Sequence, residues 1–65
     1  MSLYQVISVL AKDRKVSISH IERDVHIANG AIRKWATSMP KAKNVQKVAN
    51  YLGVTTDYLL NEADW

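Results

Sequence analysis

The chain has 65 residues, 48% of them hydrophobic, no cysteine and a formal net charge of +3. That length makes one domain over 1–65, close to the lower limit for folding without a staple, with enough apolar residues for a compact core. The absence of cysteine excludes a disulfide framework and a thiolate metal site, and apolar runs broken by Gln5, Ser8 and Lys12 exclude a membrane span and a signal peptide.

Leu3, Val6, Ile7, Leu10 and Ala11 recur at three- and four-residue spacing, which predicts a first helix over about 3–14. Lys15 and Val16 connect. Ser17 is placed to N-cap a second helix that turns Ile18, Ile21 and Val25 inward. Ser19 and Glu22, at capping-box spacing, offer a competing start two residues later. Residues 26–28 leave room only for a tight turn. The stretch "NGAIRKW" then predicts a third helix from 29 to about 36, with Ile27, Ile32 and Trp35 toward the core. Pro40 marks a boundary. Val45, Val48, Ala49 and Leu52 predict a fourth helix, ended by Gly53 as a left-handed cap. Thr55 or Thr56 caps a short fifth helix carrying Tyr58, Leu59 and Leu60, with Asp57 in its first turn where the helix dipole favours an anion. Residues 61–65 read as a tail or the start of a linker. The fold class is therefore all-α: five short helices, no strand, no repeat. The expected core contains Leu10, Ile21, Val25, Ile32, Trp35, Val48 and Leu52, with Tyr4, Tyr51 and Tyr58 at its edge.

The charge is unevenly spread. All six acids lie at 13–24 and 57–64; between Val25 and Thr56 there is none, while Arg33, Lys34, Lys41, Lys43 and Lys47 fall there. A one-signed stretch in a folded domain points to a polyanion-facing surface, although a basic solvated surface reads the same way from charge alone. Two short helices joined by a tight turn, the second compact and basic, form a helix-turn-helix over about 17–36. Such a recognition helix enters the major groove with its N-terminal end against base edges and phosphates. Gly30 there reads as close approach of the backbone to a duplex, at a helix cost of about 1 kcal/mol relative to alanine. The Asn29 amide suits an adenine edge, and Arg33 and Lys34 suit guanine or a flanking phosphate.

The segments "VSISHIERDVHIANGAIRKW" and "SMPKAKNVQKVANYLGVTTDYLL" resemble the lambda-repressor/Cro-type helix-turn-helix family, the Xre family, and among it the phage-type repressors of low-GC Gram-positive bacteria. The resemblance runs from Val16 to Leu60, about three quarters of the chain. It implies a compact five-helix domain with a central helix-turn-helix. It also implies that Asn29, Gly30, Arg33 and Lys34 hold the base-reading and groove-facing positions. By the same resemblance Ser17 meets a phosphate, as do Thr37, Ser38, Lys41 and Lys43 in the loop after the recognition helix, and Ile21, Val25, Ile27, Ile32 and Trp35 are buried.

Three positions depart from the family pattern. Glu22 stands where a small residue is usual, and needs either exposure or a partner, with Arg23 or Arg33 as the source of charge. His26 holds the turn position usual for glycine, a left-handed geometry that histidine adopts less readily. Ala28 replaces the usual serine cap before the recognition helix, a loss of about 1 kcal/mol.

Other features have plainer readings. His20 and His26, six apart and without a cysteine, do not read as a metal site, and His20 with Asp24 is an i,i+4 surface pair. Trp35 fits a core position better than a base-stacking platform, and Lys47 reads as solvated. No nucleophile–base–acid set is recognisable, so neither an enzyme nor a cofactor or small-molecule substrate is expected. The reading is a cytoplasmic transcriptional regulator, most simply a repressor that occludes a promoter by binding a double-stranded DNA operator. The alternative is a protein-interaction module on the same fold, one that binds a toxin or another regulator. Self-association is expected on DNA or through a further C-terminal segment, and only weakly through Leu59, Leu60, Ala63 and Trp65. A whole Cro-like protein and the N-terminal part of a longer repressor read alike.

Overall fold

In the computed structural model, which describes residues 1–63, the described residues form five α-helices and no strand. These are α1 (Leu3–Asp13), α2 (Ile18–Asp24), α3 (Ala31–Lys34), α4 (Ala42–Leu52) and α5 (Thr56–Glu62). None is long and apolar enough to cross a membrane.

Side-chain oxygens start three of them. At α1 the Ser2 hydroxyl accepts the Gln5 N–H at 3.2 Å, while the Gln5 amide oxygen accepts the Ser2 N–H at 2.9 Å. This is a capping box, legible as S-x-x-Q but hidden by attention to the apolar stripe that follows. Ser17 accepts the His20 N–H at 3.1 Å, so the second helix starts there and the later Ser19 start is not used. Thr55, not Thr56, caps α5 by accepting the Tyr58 N–H at 3.0 Å.

Three helices stop in one way. Lys15, His26 and Gly53 are left-handed, with φ of 59°, 62° and 75°. After each comes an aliphatic residue whose N–H reaches back five positions: Val16 to the Ala11 carbonyl at 3.0 Å, Ile27 to Glu22 at 2.9 Å and Val54 to Ala49 at 3.0 Å. That is the Schellman closure, which satisfies carbonyls that a helix end leaves orphaned. Val16, Ile27 and Val54 then pack half-buried against the core. Each reversal therefore turns the chain and adds an apolar contact in the same two residues.

α1 packs on α3 and α5, α5 on α4, and α2 on α3. Between them Leu3, Ile7, Ile21, Ile32, Val48, Leu52 and Leu59 are fully enclosed, and Trp35 is 5% exposed. Leu10 and Val25, expected inside, are only partly buried at the edge of this cluster. Tyr4 is half-buried as an edge residue, whereas Tyr51 and Tyr58 are exposed. The expected tail is helix as far as Glu62. Leu59 and Ala63, four apart, fall on the same inward face; Ala63 is buried and its N–H donates to the Leu59 carbonyl at 3.0 Å. Leu59 and Ala63 therefore belong to the core rather than to a surface patch, Leu60 is half-buried, and Trp65 lies outside the described residues.

Two outcomes follow from this packing. Trp35→Ala removes a large enclosed ring at about 3–5 kcal/mol, against a total of about 3–10 kcal/mol for a domain this size; circular dichroism should show the variant largely unfolded at 37 °C. Lys15→Gly and His26→Gly should each stabilise. Relief of left-handed strain is worth about 1–2 kcal/mol, offset by about 0.5–1 kcal/mol of added unfolded-chain entropy. Thermal melts of both should rise by a few degrees.

Candidate nucleic-acid interface

The stretch around α3 departs from the helix expected over 29–36. The α-helix proper is Ala31–Lys34, and Gly30 before it has φ 85°. Space beside Gly30 is open, with no heavy atom within 4 Å of where a Cβ would stand. The glycine is thus required by its backbone angle, and it sits at the cap, so no helix-interior cost arises. After Lys34 the winding tightens into i→i−3 bonds: Trp35 N–H to Ile32 at 3.0 Å, Ala36 to Arg33 at 3.2 Å and Thr37 to Lys34 at 3.2 Å. Ser38 closes the turn on the Lys34 carbonyl at 3.0 Å.

A helix of four residues is far below the length that forms unaided. Its start is held from outside. Glu22, 3% exposed, sends its carboxylate across from α2: Oε1 accepts the Gly30 N–H and Oε2 the Ile32 N–H, each at 3.0 Å. The arginines named as sources of charge are not its partners. Backbone N–H groups are, and the pairing is the charge-assisted kind, stronger than a neutral hydrogen bond. Glu22 thereby supplies the cap that the N-cap residue itself, Gly30, cannot; Ala28, expected at the cap, lies two residues before it. The negative charge at the positive end of α3 adds a favourable dipole term.

So anchored, α3 turns Ile32 and Trp35 inward and leaves Arg33 and Lys34 exposed. Asn29, Thr37, Ser38, Lys41 and Lys43 are exposed as well, Gly30 is half-buried, and Lys47 is half-buried on α4. Among the described residues the ion pairs are Asp13–Arg14 and His20–Asp24. Arg33, Lys34, Lys41 and Lys43 thus have no acidic partner there. Ser17 is exposed with its oxygen occupied by the His20 N–H, which leaves its own O–H as a donor. Ser17 and Asn29 are brought to one surface cleft, joined by Ser19, His20, Arg23 and Ile27. Ser19, His20 and Arg23 were not expected there; their three- and four-residue spacing on one helix face was the available signal.

Beside the cleft, the His20–Asp24 pair is present at 3.0 Å, and it is part of something larger. The Tyr51 hydroxyl of α4 donates to Asp24 Oδ2 at 3.0 Å, and Arg23 Nη2 donates to His20 Nδ1 at 3.1 Å. The hydrogen bond to the Asp24 carboxylate holds the Tyr51 phenol above its ordinary titration range.

Comparison of the chain with known protein families, with curated proteins and with solved structures gives no match. Among the described residues no group of three His, Cys, Asp or Glu side chains is placed to hold a metal ion.

The dual role of Glu22 is open to direct measurement. Glu22→Gln keeps the shape but replaces one acceptor by an amide donor that faces a backbone N–H. It should cost about 1.5–3 kcal/mol, the range for a hydrogen bond to a charged group. Amide exchange at Gly30 and Ile32 should accelerate more than at α1. Wild-type protection of those two amides in the variant would show that the carboxylate does not hold them.

Proposed function

We propose that this chain is a DNA-binding domain of the lambda-repressor/Cro type, with α2 and α3 as its helix-turn-helix, acting as a transcriptional regulator in the cytoplasm. One observation carries the reading. A single turn of helix, too short to be stable alone, is anchored by a buried carboxylate, and its outer side presents Arg33 and Lys34 with no acidic partner among the described residues. Two adjacent exposed cations without an acidic partner on an anchored turn suit a polyanion whose edges carry acceptors.

The roles divide by position. Arg33 and Lys34 face base edges or the nearest phosphates, and Asn29 in the preceding turn offers its amide to an adenine. Gly30 shapes that turn. Thr37 and Ser38 lie in the turn that follows α3, and Lys41 and Lys43 stand at the start of α4; these four, with Ser17, grip the backbone. Repression by promoter occlusion is the simplest output for a chain in which no catalytic set is recognisable.

One recognition turn reads only a few base pairs, too few to find a site among about 10⁶ competitors, so two copies act on the operator. Among the described residues, apolar surface open to pairing includes Met1 ahead of α1, Val9 on α1 and Tyr58 on α5, all exposed around one shallow pocket. That patch is small beside the roughly 1,600 Å² of a stable interface, and pairing occurs on DNA. The same patch favours the alternative reading as a protein-interaction module, for which binding of a protein partner without any duplex affinity is the discriminating result.

Salt titration of binding to random and operator duplexes tests the proposal. Arg33→Ala and Lys34→Ala should leave melting temperatures within about 0.5 kcal/mol of wild type, and should weaken operator binding by about 1–3 kcal/mol where a base contact is lost. Lys41→Ala and Lys43→Ala should weaken all duplexes alike, each flattening the salt slope by about 1. Normal binding by all four variants would sink the assignment.

A further inference from the structure

The contacts among Tyr51, Asp24, His20 and Arg23 assign a proton. Arg23 Nη2 lies 3.1 Å from His20 Nδ1, and a guanidinium can only donate. Nδ1 is therefore the bare nitrogen, and the ring is neutral with its hydrogen on Nε2, directed at Asp24 Oδ2 3.0 Å away. The same carboxylate oxygen accepts the Tyr51 hydroxyl at 3.0 Å. These are the charged and titratable groups that meet His20: Arg23 and Asp24 from α2 itself, and Tyr51 from α4 by way of Asp24. Glu22 lines the same cleft, but both its oxygens are held by backbone N–H groups.

A proton added to this ring has one place to go. It binds Nδ1, the atom that accepts from Arg23, and turns an acceptor into a donor. The imidazolium keeps its Nε2–H on Asp24 and gains a charge pair there. Arg23 loses its acceptor and faces a like charge at hydrogen-bond distance, which the water around this exposed site weakens but does not abolish. Arg23 also lines the cleft that holds Ser17, Ser19 and Asn29, three side chains able to donate to a phosphate oxygen. We propose that protonation of His20 releases Arg23 from the ring to pair with a backbone phosphate at this cleft, so that DNA affinity rises as the pH falls. The proposal rests on the DNA-binding reading above and adds to it one phosphate contact under proton control.

Two measurements on the 65-residue chain decide it. In the free protein, the ¹⁵N shifts of the His20 ring and the side-chain Nε–H of Arg23 should move with a single midpoint. Duplex binding at fixed ionic strength should tighten by about three- to tenfold from pH 8 to pH 5.5, with the salt slope steeper by about 0.9 at the lower pH, as for one added phosphate contact. Arg23→Gln should lose most of that increment. His20→Gln, a permanently uncharged donor and acceptor, should stay at the affinity of wild type at pH 8. His26→Asn, which retains a residue tolerant of the left-handed turn, should keep the full pH response. Arg23 signals that stay still while His20 titrates would overturn the switch whatever the protein binds. An Arg23→Gln variant with the wild-type pH response would overturn it while leaving DNA binding intact. No duplex binding by wild type at any pH would overturn the DNA reading and this proposal together.

Discussion

A buried carboxylate with two acceptor oxygens, facing two backbone N–H groups, is the constraint around which this domain is organised. Glu22 carries both ends of the turn. Its own carbonyl accepts the Ile27 N–H and closes α2, while its side chain accepts from Gly30 and Ile32 and opens α3. One residue thus fixes where the second helix stops, how the chain reverses and where the third begins. Removing a partner from such an arrangement leaves buried donors without acceptors, which is costlier than the net worth of the bonds themselves.

The core and the loops are similarly economical. Val16, Ile27 and Val54 each close a helix with the backbone and cover the core with the side chain. In a chain of this length the hydrophobic interior alone gives a small margin, so connections that also bury apolar surface matter. Of the three left-handed residues that end a helix, two are lysine and histidine rather than glycine; the backbone hydrogen bonds and the apolar contact outweigh the strain there.

Much of this was legible from the residues. The apolar stripe of α1 placed both its ends within a residue, and that of α4, with Gly53, placed its end, while its start three residues before Val45 carried no mark. Gly53 was readable from residue chemistry, Ser17 and Thr55 each as one of two candidate caps, and the left-handed turn at His26 only through the family resemblance. The limits of α3 were not, because Asn29 and Gly30 continue the spacing of a helix while the φ of Gly30 forbids one. Nor were the partners of Glu22, since backbone groups eight and ten residues on leave no side-chain pattern to read. The traces of that arrangement were the missing serine at Ala28 and a mid-helix Glu22 in need of a partner. At the C-terminal end the four-residue step from Leu59 to Ala63 was available, but alanine is a weak mark of burial. The exposed basic residues of the candidate interface were placed correctly as exposed; what they touch is a matter for binding experiments.

Because α3 is held at its start by Glu22 and beneath by Ile32 and Trp35, helix propensity at its outer positions contributes little. Residues 33 and 34 can therefore change to almost any side chain, β-branched or polar, without weakening the scaffold. The part of the surface that meets a ligand is free to drift independently of the part that keeps the protein folded. A lineage built on this arrangement can acquire new binding preferences by single substitutions, each selected on recognition alone.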